Sequence, residues 1–84
     1  MLSKEEAIKG LRESKVFDRL MTKERVSNVD VLDKPSDRGL WTALEEYKIV
    51  TSVLIEFPNR EPGVALYLRY FYLTDKQIKG LILK

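Results

Sequence analysis

Length, composition and charge bound what this chain can be. It has 84 residues with 15 Lys and Arg, 13 Asp and Glu, a net charge of +2, and neither cysteine nor histidine. A hydrophobic content of 44% with 33% charged residues is typical of a folded domain. The lack of cysteine excludes disulfides and thiolate metal ligands, and the lack of histidine removes the commonest general base. We therefore expect one domain over residues 1–84, with no enzymatic activity and no cofactor.

The N-terminal segment has the signature of a capped helix. Ser3 can accept a hydrogen bond from the Glu6 amide, and the Glu6 side chain can reach back to Ser3. Apolar residues then recur at helical spacing, which predicts a face that packs on a sheet; they are Ala7, Ile8, Leu11, Phe17, Leu20 and Met21. Because Glu13–Lys15 interrupts this stripe, we expect one N-terminal helix or a pair of shorter helices.

The middle of the chain is less regular. Alternating apolar residues predict a short edge strand over Val26–Leu32. Lys34–Gly39 contains proline and glycine and predicts a loop. Leu40–Lys48 fits either a short helix or the start of the following strand, and we favour the strand.

Neither a metal site nor a membrane segment is predicted. Acidic residues cluster around the predicted loop, but their spacing does not match a calcium-binding loop; they are Asp30, Asp33, Asp37, Glu45 and Glu46. The sequence shows no signal-peptide pattern and no apolar run of the roughly 18 residues that span a bilayer. We therefore expect a cytoplasmic protein without a membrane partner.

Val64–Leu73 is the most apolar stretch and predicts a strand with two apolar faces. Tyr47–Phe57 alternates with a period of two and predicts its antiparallel neighbour, joined by a turn at Pro58–Gly63. A second turn at Thr74–Gln77 would lead to a further strand at Ile78–Leu83. The sequence thus predicts an α+β fold in which the N-terminal helix, single or split in two, packs on a three- to four-stranded antiparallel meander sheet with strand order following the chain.

The length of the first turn sets the register of the two long strands. If Phe57 faces Val64, then Ile55 faces Leu66, and the apolar side chains of both strands share one face. We expect the N-terminal helix to cover this face.

The reverse face of the sheet then has no predicted cover. It combines apolar and aromatic residues with one arginine, and such a patch is larger than a monomer usually exposes. We predict that it mediates self-association, as a homodimer, or binds another protein; the candidate interface residues are Val50, Leu54, Tyr67, Arg69, Phe71 and Ile82. On this hypothesis, Phe71→Glu should give a folded monomer.

Two alternatives stay open. A pair of N-terminal helices could cover both faces of the sheet, which would leave no interface. Alternatively, Tyr67 and Phe71 could stack on the bases of single-stranded nucleic acid, while the Arg69 guanidinium holds a phosphate. The net charge of +2 supplies little attraction for such a polyanion.

The order of the predicted elements is similar to that of known small domains. A helix that opens with Ser-Lys-Glu-Glu-Ala-Ile at Ser3–Ile8 and precedes an antiparallel meander resembles PepSY-type domains. A curled helix against a meander also resembles cystatin-like folds. These resemblances imply a helix-on-sheet fold alone, because no functional residue is matched.

Overall fold

The structure, a computed structural model, describes residues 1–32, 34–57 and 63–83. In chain order, the helices and strands are α1 (Lys4–Arg12), α2 (Phe17–Met21), β1 (Val26–Ser27), α3 (Asn28–Val31), α4 (Pro35–Glu46), β2 (Thr51–Phe57), β3 (Leu66–Tyr72) and α5 (Asp75–Ile82). The three strands form an antiparallel sheet with the order β1-β3-β2. The predicted α+β class is confirmed, and the most apolar stretch of the chain supplies the central strand.

The N-terminus follows the prediction. The Ser3 side chain accepts a hydrogen bond from the Glu6 amide at 3.1 Å, and the Glu6 carboxylate accepts one from the Ser3 amide at 2.9 Å. The bond from the Ser3 amide is the main reason why the pKa of Glu6 lies below its ordinary value, since it stabilises the charged form. α1 ends at Arg12 and α2 begins at Phe17, so the N-terminal helix is split.

Residues predicted as a loop and a strand form one helix. α4 replaces both the loop at Lys34–Gly39 and the strand favoured at Leu40–Lys48. Pro35 suits the first turn of a helix, where no amide donor is needed and its fixed φ is already helical. The Asp37 carboxylate accepts a hydrogen bond from the Lys34 amide at 2.8 Å and closes this first turn. The proline therefore marks the start of a helix.

The C-terminal segment is also helical. Thr74–Gln77, predicted as a turn, forms a second capping box: the Thr74 hydroxyl accepts from the Gln77 amide at 3.2 Å, and the Gln77 side chain accepts from the Thr74 amide at 2.9 Å. The strand predicted at Ile78–Leu83 is therefore wrong, because these residues continue α5 and its C-terminal cap. Without that strand, the meander on which the resemblances rest is not found in the described part of the chain.

β1 is shorter than predicted. Only Val26 and Ser27 of the strand expected at Val26–Leu32 pair with β3. The Ser27 side chain accepts a hydrogen bond from the Asp30 amide at 3.3 Å and so starts α3. β1 does lie at an edge of the sheet, but the strand order does not follow the chain.

The β2–β3 hairpin forms with a shifted register. Phe57 pairs with Leu66, whereas the prediction placed it opposite Val64. Because the shift is even, every side chain keeps its predicted face. The turn predicted at Pro58–Gly63 lies outside the described residues, apart from Gly63.

The core lies between the helices and one face of the sheet. α1 packs along α4, and Gly10 allows the close approach, because a Cβ there would stand 2.7 Å from Leu40 Cδ1. α4 packs on the sheet through Trp41, whose ring centroid is 4.8 Å from that of Phe71. The N-terminal helix therefore packs mainly on α4, and Trp41 of α4 in turn contacts Phe71 of the sheet. The buried residues are Ala7, Leu11, Val16, Leu20, Val26, Val31, Trp41, Ala43, Leu44, Ile49, Val50, Phe71, Leu73 and Leu81.

Candidate interaction surface

The β2–β3 hairpin extends beyond the core. The molecule measures 49 × 27 × 20 Å, and burial falls along β3 from Phe71, which is 3% exposed, to Leu66, which is 55% exposed. No apolar residue of Val53–Phe57 or Leu66–Tyr70 belongs to the buried core or packs against it. We name these two segments the arm.

One face of the arm is apolar throughout. We name it the arm face, and its cross-strand pairs are Val53 with Tyr70, Ile55 with Leu68, and Phe57 with Leu66. The rings of Phe57 and Tyr70 lie 6.5 Å apart, within the range of a favourable aromatic pair. No charged side chain interrupts this face. Phe57 and Leu66 are exposed, and the other four residues are half-buried without packing on the core. A continuous apolar surface of this kind is typical of a site that binds a partner.

The reverse face of the hairpin is tied to α4 at its base. Arg69 Nη1 donates to Ser52 Oγ at 3.0 Å, and Ser52 Oγ donates to Glu45 Oε2 at 3.0 Å. Beyond this chain of hydrogen bonds, Phe71 is buried against Trp41. At its base, the reverse face therefore contributes Phe71 to the folded core, and the hydrogen-bonded polar residues lie beside that core.

The residues predicted to form an interface do not make one surface. Val50 and Phe71 are each 3% exposed, so their side chains have no access to a partner in this structure. Arg69 is half-buried, and its guanidinium is held by Ser52. These three residues serve the fold of the monomer.

The other three predicted residues are exposed but separated. Leu54 and Tyr67 lie on the reverse face of the arm. Ile82 is exposed on α5, outside the sheet, because the segment predicted as its strand is helical. A contact through the reverse face would therefore involve Leu54 and Tyr67 without Ile82.

Sequence reasoning identified the arm-face residues as one apolar set but expected a helix to cover them. Alternation defines the two faces of a strand, yet it does not say which one is inside when both carry apolar side chains. The available signal was polar: Arg69 donates to Ser52, and Ser52 donates to Glu45, which lies on α4. The strand predicted for Leu40–Lys48 does not use this signal.

β2 adds an open edge to the same hairpin. β3 pairs with β2 on one side, and β1 pairs only with Tyr70 and Phe71 on the other. β2 contains no lysine and no proline, and Glu56 is its one charged residue of the kind with which natural edge strands discourage pairing with other chains. The arm therefore offers both an apolar face and unpaired strand edges.

The described residues contain no metal-ligand cluster and no membrane-spanning helix. Across 1–32, 34–57 and 63–83, no three or more acidic side chains come together in a way that could hold a metal ion. Asp33, one of the clustered acids, lies outside these ranges. No helix in the same ranges is long and apolar enough to cross a membrane.

Comparisons with known protein families, with curated proteins and with solved structures find no match for this chain.

Proposed function

We propose that the protein is a non-catalytic interaction module that forms a homodimer, with the arm face of one copy packed against the arm face of a second. The observation that supports this proposal is the arm face itself, an uncharged set of apolar and tyrosine side chains without contact to the core. Burial of apolar surface gains about 25 cal/mol per Å². Covering this face is therefore favourable.

A second copy of the chain suits the arm face. A two-fold contact needs a patch that complements itself, and two uncharged faces meet without like-charge repulsion. Sheets pack face to face at about 10 Å, and Phe57 and Tyr70 would supply aromatic rings to the contact. Dimerisation would also add buried area to a domain of 84 residues, which has a modest core of its own.

Solution mass and one charge substitution test the proposal. We expect light scattering on a sizing column to give the mass of a dimer that dissociates on dilution. Leu66→Glu should give a folded monomer, because it places a carboxylate inside the apolar contact. Tyr67→Glu is the matched control: it is the next residue, it points to the reverse face, and it is 51% exposed against 55% for Leu66. We expect this control to remain dimeric.

Other outcomes would contradict the proposal. A wild-type monomer at every concentration would exclude self-association. Dissociation by Tyr67→Glu and not by Leu66→Glu would move the interface to the reverse face. Co-purifying nucleic acid, detected by its ultraviolet absorbance, would favour the binding of single-stranded nucleic acid. For that function the Arg25 guanidinium, 5.4 Å from the Tyr72 ring centroid, supplies a cation beside aromatic side chains.

A further inference from the structure

A cavity of about 500 Å³ opens between α1, the turn after α4, and α5. Its wall includes Ile49 and Leu81, which are both buried. Small-molecule sites commonly measure about 300–1,000 Å³ and are mostly apolar. No arm-face residue lines this cavity, so it is separate from the proposed dimer contact and independent of it.

The exposed rim of the cavity is cationic. Lys4 from α1, Lys48 from the turn and Lys76 from α5 all line it and are all exposed. None of the three forms an ion pair with another residue of the described ranges. No Asp or Glu among the described residues lines the cavity. Charge of one sign at the mouth of a cleft attracts a ligand of the opposite sign.

Lys48 occupies a backbone conformation that favours glycine. Its φ is +58°, and it closes α4: the Lys48 amide donates to the Glu45 carbonyl at 3.0 Å, and the Ile49 amide donates to the Leu44 carbonyl at 2.9 Å. Glycine is the usual residue at this position after a helix, because a side chain there strains the backbone. The chain thus holds a cation at the cavity at the expense of local stability.

Gly80 is a glycine at a position where a residue with a side chain would be more stable. It lies within α5, where alanine would make a more stable helix. Nothing requires a glycine there, because its φ is not left-handed and no side chain or other element stands within 4 Å of a Cβ placed on it. Because Gly80 lines the cavity, its missing side chain leaves that space open. Lys48 and Gly80 therefore both lower the local stability of the backbone, and both line the same cavity.

The cavity is formed before any ligand binds. Gln77 Nε2 donates to the Lys48 carbonyl oxygen at 3.0 Å, and Gln77 Oε1 accepts from Thr51 Oγ1 at 2.9 Å. These bonds tie α5 to the turn that carries Lys48 and to the start of β2. A site that is already ordered loses less entropy when a ligand binds.

We propose that this cavity binds a small amphipathic anion. The apolar body of the ligand would lie against Ile8 and Tyr47, the half-buried apolar residues of the wall. A carboxylate or phosphate head would lie among Lys4, Lys48 and Lys76. Both head groups accept hydrogen bonds from ammonium donors.

Titration with four eight-carbon probes tests the proposal. Octanoate and octyl phosphate carry the two anionic head groups, while octanol and octylammonium are the neutral and cationic controls, all used below the concentrations at which they form micelles. Calorimetry should show saturable binding of an anionic probe that is about tenfold tighter than that of either control. Backbone amide shifts at Gln77 and Gly80 should follow the same titration. Comparison of octanoate with octyl phosphate then shows which head group the site prefers.

Two variants test whether the probes bind in this cavity. Lys48→Gln combined with Lys76→Gln should weaken binding of the better anion about tenfold. Lys79→Gln, on the same helix but outside the cavity, should leave it unchanged. Gly80→Leu should block all probes by filling the space, and if that variant does not fold, the lysine pair still decides. Equal binding of octanol and the anions, an unchanged affinity in the lysine variant, or the absence of saturable binding would each overturn the proposal.

Discussion

The burial of Phe71 shows which face of the sheet is the inner one. Its ring packs against Trp41 at 4.8 Å, and only 3% of the residue is exposed. The face that carries Phe71 is therefore turned toward the helices at its base. The expectation that Phe71→Glu gives a folded monomer is reversed, since an unpaired carboxylate in this core would cost a large part of the stability of a small domain.

Truncation of Phe71 measures this contact. We expect Phe71→Ala to lower the free energy of unfolding by about 3–5 kcal/mol, as measured by urea unfolding followed by circular dichroism. Tyr67→Ala is the matched control, because Tyr67 lies on the same face of β3 but is exposed. It should cost less than about 1 kcal/mol. Equal losses in the two variants would show that the core does not include this end of the sheet.

Lys48 is the second residue whose role can be measured directly. We expect Lys48→Gly to raise the free energy of unfolding by about 1 kcal/mol, because glycine adopts the left-handed conformation without strain. Lys9→Gly, in the exposed interior of α1, should instead lower it by about 1 kcal/mol. Both values come from urea unfolding under the same conditions. A loss of stability in Lys48→Gly would mean that the side chain makes a stabilising contact that outweighs the strain.

At the scale of elements, Gln77 holds α5 in place. Its side chain accepts hydrogen bonds from the Thr74 amide and from Thr51 Oγ1, and it donates to the Lys48 carbonyl. The helix is thus capped and tied to β2 and to the turn after α4 by one residue. α5 also packs on the core through Leu81, which is buried.

Removal of the Gln77 side chain should loosen α5. We expect Gln77→Ala to lower the free energy of unfolding by about 1–2 kcal/mol, since the lost hydrogen bond with Thr51 is half-buried and the other two are exposed. Amide hydrogen exchange should quicken over Asp75–Ile82 more than elsewhere. Lys79→Ala, exposed on the same helix, should leave both quantities nearly unchanged. Uniform quickening over the whole chain would show that α5 does not open separately.

Capping chemistry predicts the helices of this chain better than alternation does. The Ser3–Glu6 pair predicted a helix correctly, and Thr74–Gln77 has the same pattern of a hydroxyl residue followed three positions later by a residue that can accept from the cap amide. Thr74–Gln77 also fits a turn, because threonine and aspartate favour turns and because the segment that follows, Ile78–Leu83, is short and apolar. Short apolar runs fit a buried strand as well as a helix.

At the scale of the whole molecule, the proposed dimerisation through the arm face would couple stability to protein concentration. We expect the Tm of the wild type to rise with concentration in scanning calorimetry, since association favours the folded state by mass action. Tyr67→Glu should behave in the same way, and Leu66→Glu should have a Tm that does not depend on concentration. A constant Tm in the wild type would contradict a dimer whose formation is linked to folding.

The sequence by itself determined the features that depend on local pattern: the α+β class, the N-terminal helix with its Ser3 cap, the strand within Val64–Leu73 and the partition of the hairpin into two faces. Local pattern suffices there because capping and alternation involve residues close together in the chain. Only the tertiary structure decided that Lys34–Lys48 is mostly helical and that the face of Phe71 is covered. The local pattern of each segment fits two structures, and the contact of Trp41 with Phe71 selects one of them. The cationic cavity likewise required the fold, because its lysines come from three separate segments of the chain.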